Sequence, residues 1–414
     1  MIKSIFLRLL KITITEWSLF FKDPAAILIL VVAGFLYSIY YPLPYLHEIT
    51  EKVPAGVVDH DKTDMSRQII RMSKSMQQID VTDVYENAEE AQKDMAAAKI
   101  YGYLEIPQGM EAEIRKGNNG TLGVYAHGAY LMLYSNVATA FSTAAATVGA
   151  TIEVKRLGAK GYSAKQGMAI RDPLPVRFLT MFNGIGGYGA YVVPAVLMIV
   201  LQQTLLIGIC TLGGPRKNRH FHSLRGKDIS ENEPLLFRYF GRSVAYLFHY
   251  LVFILFYHAI IYWLFDFPRH GNIFVMFVFA MAFFGAVINM GMWIAQFFSR
   301  RETGMQILVC VAIPFLFMAG FSWPRESMPL WIQSIGYFLP STYAVPGWIA
   351  IENMGATLFE IRHYIFHLYG LSIFYLALGL LLAKRNDLIK HFHELRKVTT
   401  GSRLYCTVLK RFHR

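Results

Sequence analysis

Six stretches of this chain are long enough and apolar enough to cross a lipid bilayer as helices. A helix needs about 20 mainly apolar residues to cross a hydrocarbon core of roughly 30 Å. None of the six contains Asp, Glu, Lys or Arg; they are Ala25–Tyr45, Gly184–Leu212, Val244–Phe265, Ile273–Phe298, Gly304–Phe321 and Ile365–Ala383. Only 16% of the 414 residues are charged, against about a quarter in soluble proteins. The sequence therefore predicts an α-helical polytopic membrane protein with six transmembrane helices.

The segment between the first two spans, residues 46–178, has a different composition. It holds 15 Lys/Arg and 16 Asp/Glu, and short β-rich runs alternate in it with helical patterns. The strand candidates are 55–58, 79–85, 100–106 and 121–126, and a long Ala/Thr-rich helix over about 131–155 follows them. A segment of this length can form its own core. We therefore predict an inserted α/β (or α+β) extracytoplasmic domain.

The distribution of basic residues predicts the orientation. The net charge is +12, and the excess lies outside residues 46–178, beside the spans. Basic residues precede the first span, fill the loop between the second and third, and follow the fourth and sixth. The positive-inside rule then places both termini in the cytoplasm of a multi-pass inner (plasma) membrane protein. Because membrane-flanking charge accounts for the excess, the bilayer is the expected partner and nucleic acid is not.

The remaining segments have distinct patterns. Residues 1–24 mix apolar and basic residues, which predicts an interfacial N-terminal helix before the first span at 25–45. Residues 179–383 hold five further spans and a cytoplasmic loop at 213–238. Four prolines within 322–364 predict short outer re-entrant helices rather than a continuous span. A basic cytoplasmic tail, 384–414, ends the chain.

No catalytic or metal-binding motif appears in the sequence. A P-loop requires Gly-x4-Gly-Lys-Ser/Thr, but here Gly226-Lys227 is followed by Asp228. His220 and His222 have no neighbouring Cys or carboxylate cluster that would complete four metal ligands. We therefore predict no catalytic residue, no metal site and no cofactor in this chain; any ATP would be hydrolysed by another chain.

A few polar side chains lie within the apolar spans, where they are costly unless they face protein or a cavity. One interpretation is that they line a substrate path or a seam between subunits. The other is that they form hydrogen bonds between helices of one subunit, each stabilising by about 1 kcal/mol or less. The candidates for the path are Gln202, Gln203, Thr204, Asn289 and Gln296.

Several motifs, taken in order, resemble those of the ABC type-2 permeases. Lys22-Asp23-Pro24 is similar to the family's entry into its first span. The VPAGVVDHD run, which begins at Val53, is similar to the opening of the family's external domain. Ala98–Pro107, Met318–Pro324 and Leu339-Pro-Ser-Thr-Tyr343 resemble later family patterns. The resemblance covers the chain up to about residue 390.

The resemblance implies a permease subunit of an ABC-type exporter. Two six-span subunits, identical or related, would work with two cytoplasmic ATPase subunits that use ATP and Mg²⁺, and a periplasmic adaptor protein is a further partner to seek. The substrate would be a drug, a lipid or another hydrophobic or amphipathic molecule. The loop 213–238 would contact the ATPase, although it lacks the family's acidic run; its candidate contact residues are Arg216, Lys217, Arg225, Glu231 and Glu233.

Three other functions are weighed at this point. An intramembrane enzyme would need titratable groups that converge within the spans, and the spans offer only histidines. A membrane receptor or sensor would explain the external domain as a ligand-binding module, but not five further spans without a signalling module. A transporter driven by ion gradients is disfavoured because the apolar windows contain no carboxylate that could carry a proton.

Overall fold

The computed structural model describes residues 2–46, 51–176, 179–184, 187–213 and 233–386. Four of the predicted ATPase contacts (Arg216, Lys217, Arg225 and Glu231), the histidine pair near 220 and the tail beyond 386 lie outside these residues. The chain divides into two compact units: Met1–Leu46 together with Met181–Arg414, and His47–Thr180.

The first unit is helical. Its elements are α1 (Ile2–Lys22), α2 (Pro24–Tyr45), α8 (Tyr188–Gly213), α9 (Leu235–Leu264), α10 (Ile273–Phe297), α11 (Arg301–Met318), α12 (Leu330–Gly336), α13 (Ser341–Met354) and α14 (Arg362–Asn386). Two of these helices contain π-helical turns, Ile27–Val32 in α2 and Tyr257–Ile261 in α9.

The second unit contains a four-stranded sheet. Its elements are β1 (Val53–Asp59), α3 (Asp64–Lys74), β2 (Ile79–Tyr85), α4 (Ala88–Ala96), β3 (Gly102–Ile106), α5 (Met110–Lys116), β4 (Gly123–Ala126), α6 (Leu131–Ala159) and α7 (Ala164–Arg171). The strand order is β2-β1-β3-β4, with β1 parallel to both neighbours and β4 antiparallel to β3. Alternating β and α segments produce this arrangement because parallel neighbours require a helical crossover.

Seven helices among the described residues are long and apolar enough to cross a membrane. Six are α2, α8, α9, α10, α11 and α14. The seventh is α6, which belongs to the sheet unit and buries Val137, Phe141 and Val148 in the core beneath the strands. Length and hydropathy do not distinguish a membrane span from an apolar helix that covers a sheet.

Asp61 fixes the turn after β1. Its carboxylate accepts hydrogen bonds from the backbone N–H of Gly109 (2.7 Å) and Glu111 (3.0 Å) and from the Thr63 hydroxyl (2.8 Å). Burial alone would raise the pKa of Asp61, but these hydrogen bonds lower it below its ordinary value. The carboxylate thus joins the end of β1 to the start of α5.

The helical unit packs around α8, nearly all of whose side chains are buried. Small residues allow this close packing. A Cβ at Gly208 would lie 2.6 Å from Leu30 Cγ of α2, and one at Gly291 would lie 2.9 Å from Ile209 Cδ1. α13 is also buried along most of its length, including Trp348 and Ile351.

Helix α1 has three different faces. Ile12, Glu16 and Phe20 are buried, and this face packs along the first half of α9. A second face exposes apolar side chains, among them Phe6, Leu10, Ile14, Trp17 and Phe21, and a third exposes Arg8, Lys11 and Lys22. A helix with one apolar and one basic exposed face suits the boundary between lipid and water.

Candidate functional site

Gln202 and Thr204 of α8 form hydrogen bonds to other helices of the same chain. Gln202 Nε2 donates to Ser341 Oγ of α13 (3.2 Å), and the Tyr250 hydroxyl of α9 donates to Thr204 Oγ1 (3.0 Å). Thr204 in turn donates to the Val200 carbonyl one turn earlier (2.9 Å). Both side chains therefore connect helices within one subunit.

Gln203 differs from its neighbours. It is 8% exposed, and neither its Nε2 nor its Oε1 has a hydrogen-bond partner among the residues that the structure describes. A buried, unpaired amide costs roughly 1–3 kcal/mol. Among the path candidates, Gln203 is therefore the one whose side-chain amide forms no hydrogen bond with the residues that the structure describes.

Asn289 and Gln296 of α10 both bind α14. Asn289 Nδ2 donates to Ser372 Oγ (2.8 Å) and to the Ser372 carbonyl (3.1 Å), and Gln296 Nε2 donates to the Gly379 carbonyl (2.9 Å). The structure therefore brings four of the five predicted path residues into contacts between helices of this chain. A role of these residues in a substrate path stays a prediction.

A buried carboxylate, Glu352 of α13, did not emerge from the sequence. It is 0% exposed, and its Oε1 lies 3.1 Å from His258 Nδ1 in the π-helical turn of α9. Close by, Trp348 Nε1 donates to the Tyr262 hydroxyl (2.9 Å) and Asn353 Nδ2 donates to the Ala190 carbonyl (3.0 Å). These hydrogen bonds connect α13 to α9 and α8.

The sequence does contain a signal for this carboxylate, outside the six charge-free windows. Glu352 is the single acid in the apolar run from Val345 to Met354. This run belongs to residues 322–364, whose prolines predict short re-entrant helices rather than a span. The lack of carboxylates in the six windows therefore does not extend to the helical unit as a whole.

Three ion pairs, which we call the α1 ion pairs, connect α1 and the residue after it to α9, to the segment just before α9 and to α11. The pairs are Arg8–Glu233 (3.8 Å), Glu16–Arg242 (3.7 Å) and Asp23–Arg301 (3.3 Å). The Asp23 carboxylate also accepts hydrogen bonds from the N–H groups of Ala25 (2.9 Å) and Ala26 (3.2 Å), which caps α2. Glu233 is the one predicted ATPase contact among the described residues, and it forms the first of these pairs, with Arg8.

A cavity of about 180 Å³ lies beside the α1 ion pairs, between α1, α8, α9, α10 and α14. Its polar lining includes Glu16, Arg238, Arg242 and Gln296. The described residues contain no group of three or more His, Cys, Asp and Glu side chains that could hold a metal ion.

The fold and its polar groups define a polytopic α-helical membrane protein whose buried polar residues mainly connect helices. Residues 25–381 match the family described as ABC-2 family transporter protein. The chain belongs to this family, and it is a multi-pass membrane permease. Membership implies a partner ATPase subunit.

The chain is also similar to a curated protein, the linearmycin resistance permease protein LnrN of Bacillus subtilis (strain 168). The two are 25% identical over 382 residues, which cover 86% of this chain and 93% of the relative. The similarity thus extends through both the helical unit and the sheet unit.

Proposed function

We propose that this permease exports a hydrophobic or amphipathic molecule, such as a drug or a lipid, from the cytoplasm or the inner leaflet. Energy would come from ATP hydrolysed by a separate ATPase subunit. The observation that carries the proposal is the family match over residues 25–381, joined to a relative that is named a resistance permease.

The proposed topology has six spans, both termini in the cytoplasm and residues 47–180 outside. The packing of α6 supports it, because one face of this helix covers the sheet core while Thr143 and Thr147 lie on an exposed face. A single cysteine at the exposed Thr147 should react with a membrane-impermeant maleimide in intact cells. A single cysteine at Lys384, in the same background without the native cysteines, should react only after permeabilisation. The reverse pattern would invert the topology.

The α1 ion pairs offer a physical route from the ATPase to the spans. The connection between α8 and α9 is shorter than the predicted loop 213–238, because α9 already begins at Leu235. In this proposal that connection contacts the ATPase, and its movement pulls on Glu233, then on α1, and through Asp23 on α11. A charge reversal at Glu233 should uncouple ATP hydrolysis from transport. Because Arg8 and Glu233 are partly exposed, the effect on stability should be small. Restoration of transport by the double reversal Arg8→Glu/Glu233→Arg would support the route.

The first experiment is purification of the tagged chain from its native membrane in mild detergent. A stoichiometric partner with a P-loop and vanadate-sensitive ATPase activity is expected. Inside-out vesicles that hold both proteins should then accumulate a fluorescent amphipathic compound with ATP but not with a non-hydrolysable analogue. A chain that purifies alone from several detergents would instead favour a receptor whose ligand binds residues 47–180.

Two permease subunits are expected to form the complete transporter. Gln202, Gln203 and Asn289 are proposed to lie along the path between them. Replacing each with Leu should lower transport without lowering membrane abundance, and unchanged transport would remove that residue from the path.

A further inference from the structure

A second cavity lies between the end of α12, the start of α13 and α14, and aromatic rings form most of its lining. Its volume is about 340 Å³, and the lining residues are Tyr337, Tyr343, Phe366, His367, Gly370 and Leu371. All six are described by the structure and belong to the helical unit. Small-molecule sites usually measure about 300–1,000 Å³ and have mostly apolar and aromatic walls with a few polar groups. The cavity has the size and the surface of such a site.

Two of these rings form one wall. Tyr343 of α13 and His367 of α14 are stacked, with centroids 4.7 Å apart and ring planes 13° apart. Tyr343 is 7% exposed, so packing holds its ring in place. The aromatic residues of an ordinary interfacial belt instead stand among the lipid headgroups. Because offset-stacked rings are a favoured arrangement, a third flat ring can continue this stack.

The wall also carries hydrogen-bonding groups. His367 Nδ1 lies 2.7 Å from the His363 carbonyl oxygen, which can only accept. The proton of a neutral His367 ring is therefore on Nδ1, and Nε2 is an acceptor. The phenol groups of Tyr337 and Tyr343 can donate as well as accept. These groups suit a ring that has a polar substituent.

A cation lies beside the same cavity. The Arg325 guanidinium carbon is 4.8 Å from the centroid of the Tyr337 ring, and Arg325 also acts electrostatically on the Tyr343 hydroxyl. The residues that line the cavity include no acid, and Glu326, the residue after Arg325, is exposed. A guanidinium at one wall disfavours a second cation and favours an acid group, two of whose oxygens its planar donors can bind.

We propose that this cavity binds planar aromatic compounds that carry an acid group, with the ring against Tyr343 and His367 and the acid toward Arg325. The lining residues of α14 are within the first ten residues of that helix, at the end opposite the basic tail. In the proposed topology this end is on the outer side, where a compound that has crossed the membrane leaves the protein. The cavity therefore narrows the exported class to aromatic acids, and this last step rests on the proposed function.

The test is binding to the purified full-length chain in phosphatidylcholine nanodiscs, followed by saturation-transfer NMR of the small molecule. The probe is naphthoate, and empty nanodiscs correct for its partition into lipid. Decahydronaphthoate keeps the charge and the skeleton without the aromatic rings, and trimethylnaphthylammonium keeps the rings with the opposite charge. We expect naphthoate to bind more tightly than the saturated acid by roughly two- to tenfold, because one aromatic contact changes affinity by about that factor.

Three variants connect the binding with the cavity. Gly370→Leu fills the cavity from a position where an added Cβ meets no atom within 4 Å, so it should fold and should abolish naphthoate binding. Gly149→Leu makes the same change at an equally open position of α6 in the sheet unit and should leave binding unchanged. Arg325→Gln should weaken naphthoate binding about tenfold or more without weakening that of trimethylnaphthylammonium, because a hydrogen bond to a charged group contributes at least about one power of ten in affinity.

The outcomes are distinct. Equal binding of naphthoate and decahydronaphthoate, or wild-type binding by Gly370→Leu, would overturn the proposal. Tighter binding of trimethylnaphthylammonium than of naphthoate would overturn the assignment to an acid. If Gly370→Leu does not fold, Arg325→Gln decides: a loss confined to naphthoate supports the site, and no loss overturns it. The assay uses neither ATP nor an ATPase, so its failure is distinguishable from a failure of the export test.

Discussion

Replacing Gln203 with Leu should make the protein more stable and the transporter less active. Gln203 is 8% exposed, and both polar atoms of its side chain lack partners among the described residues. Leu has a similar volume, so the change removes two unpaired polar atoms without opening a large cavity. Gln202 is the matched contrast on the same helix, because its Nε2 donates to Ser341 Oγ.

The magnitude follows from the number of unsatisfied groups. An unpaired buried polar group costs about 1–3 kcal/mol, so Gln203→Leu should raise the free energy of unfolding by at least about 1 kcal/mol. At roughly 2–4 °C per kcal/mol for units of 150–250 residues, the unfolding temperature should rise by a few degrees. Gln202 Oε1 also has no hydrogen-bond partner among the described residues. In Gln202→Leu the loss of the Ser341 bond, about 1 kcal/mol, offsets the removal of this unpaired oxygen.

The assay pairs thermal unfolding of the purified permease with ATP-dependent uptake into vesicles. A more stable Gln203→Leu variant with reduced uptake would show that the amide is kept for function. A more stable variant with unchanged uptake would leave Gln203 outside the path. A less stable variant would refute the reasoning itself, since Gln203 would then have a partner in the native protein, such as a second subunit.

Three further predictions concern the packing and the charges. Gly208→Ala should destabilise the permease by about 1–3 kcal/mol, because the added Cβ would overlap Leu30. Gly370→Ala should not destabilise it, because the added Cβ would meet open space. Thermal unfolding of both variants checks this prediction. Glu352→Ala should destabilise the permease by about 1–3 kcal/mol and Glu352→Gln by less, because only Ala leaves His258 without any polar partner at that position; a smaller loss for Ala than for Gln would contradict the role of the pair. Asp61 has a folded pKa below its unfolded value, so its contribution is present above about pH 4 and is lost as pH falls through the folded pKa; in Asp61→Asn this part of the acid destabilisation should be absent from a pH series of unfolding curves.

The sequence predicted those elements that local pattern determines. β2 spans Ile79–Tyr85 in both the prediction and the structure, since a β-rich run is bounded there by polar turns. β3 begins at Gly102, two residues later than predicted, and ends before Pro107 as the pattern indicated. Such boundaries depend on residues within a few positions of each other.

Partners across the chain could not be predicted in this way. Gln202 and Ser341 are 139 residues apart, and His258 and Glu352 are 94 apart. No periodicity in a single helix indicates which polar group will face it from another. The same limit applies to α6, whose hydropathy fits a span while its buried face fits the sheet.

Charge-free windows identify membrane spans, but the charges that connect those spans lie outside the windows. Glu16 and Asp23 are each buried, and each has an arginine partner within 3.7 Å. A buried charge is tolerated only when it is paired, and these pairs join α1 and the residue after it to two different long helices, α9 and α11. Relative movement of those helices would have to break or exchange the pairs, at a cost of several kcal/mol each. We therefore expect these two pairs, rather than the polar groups inside the spans, to set the energetic difference between resting and ATP-driven states.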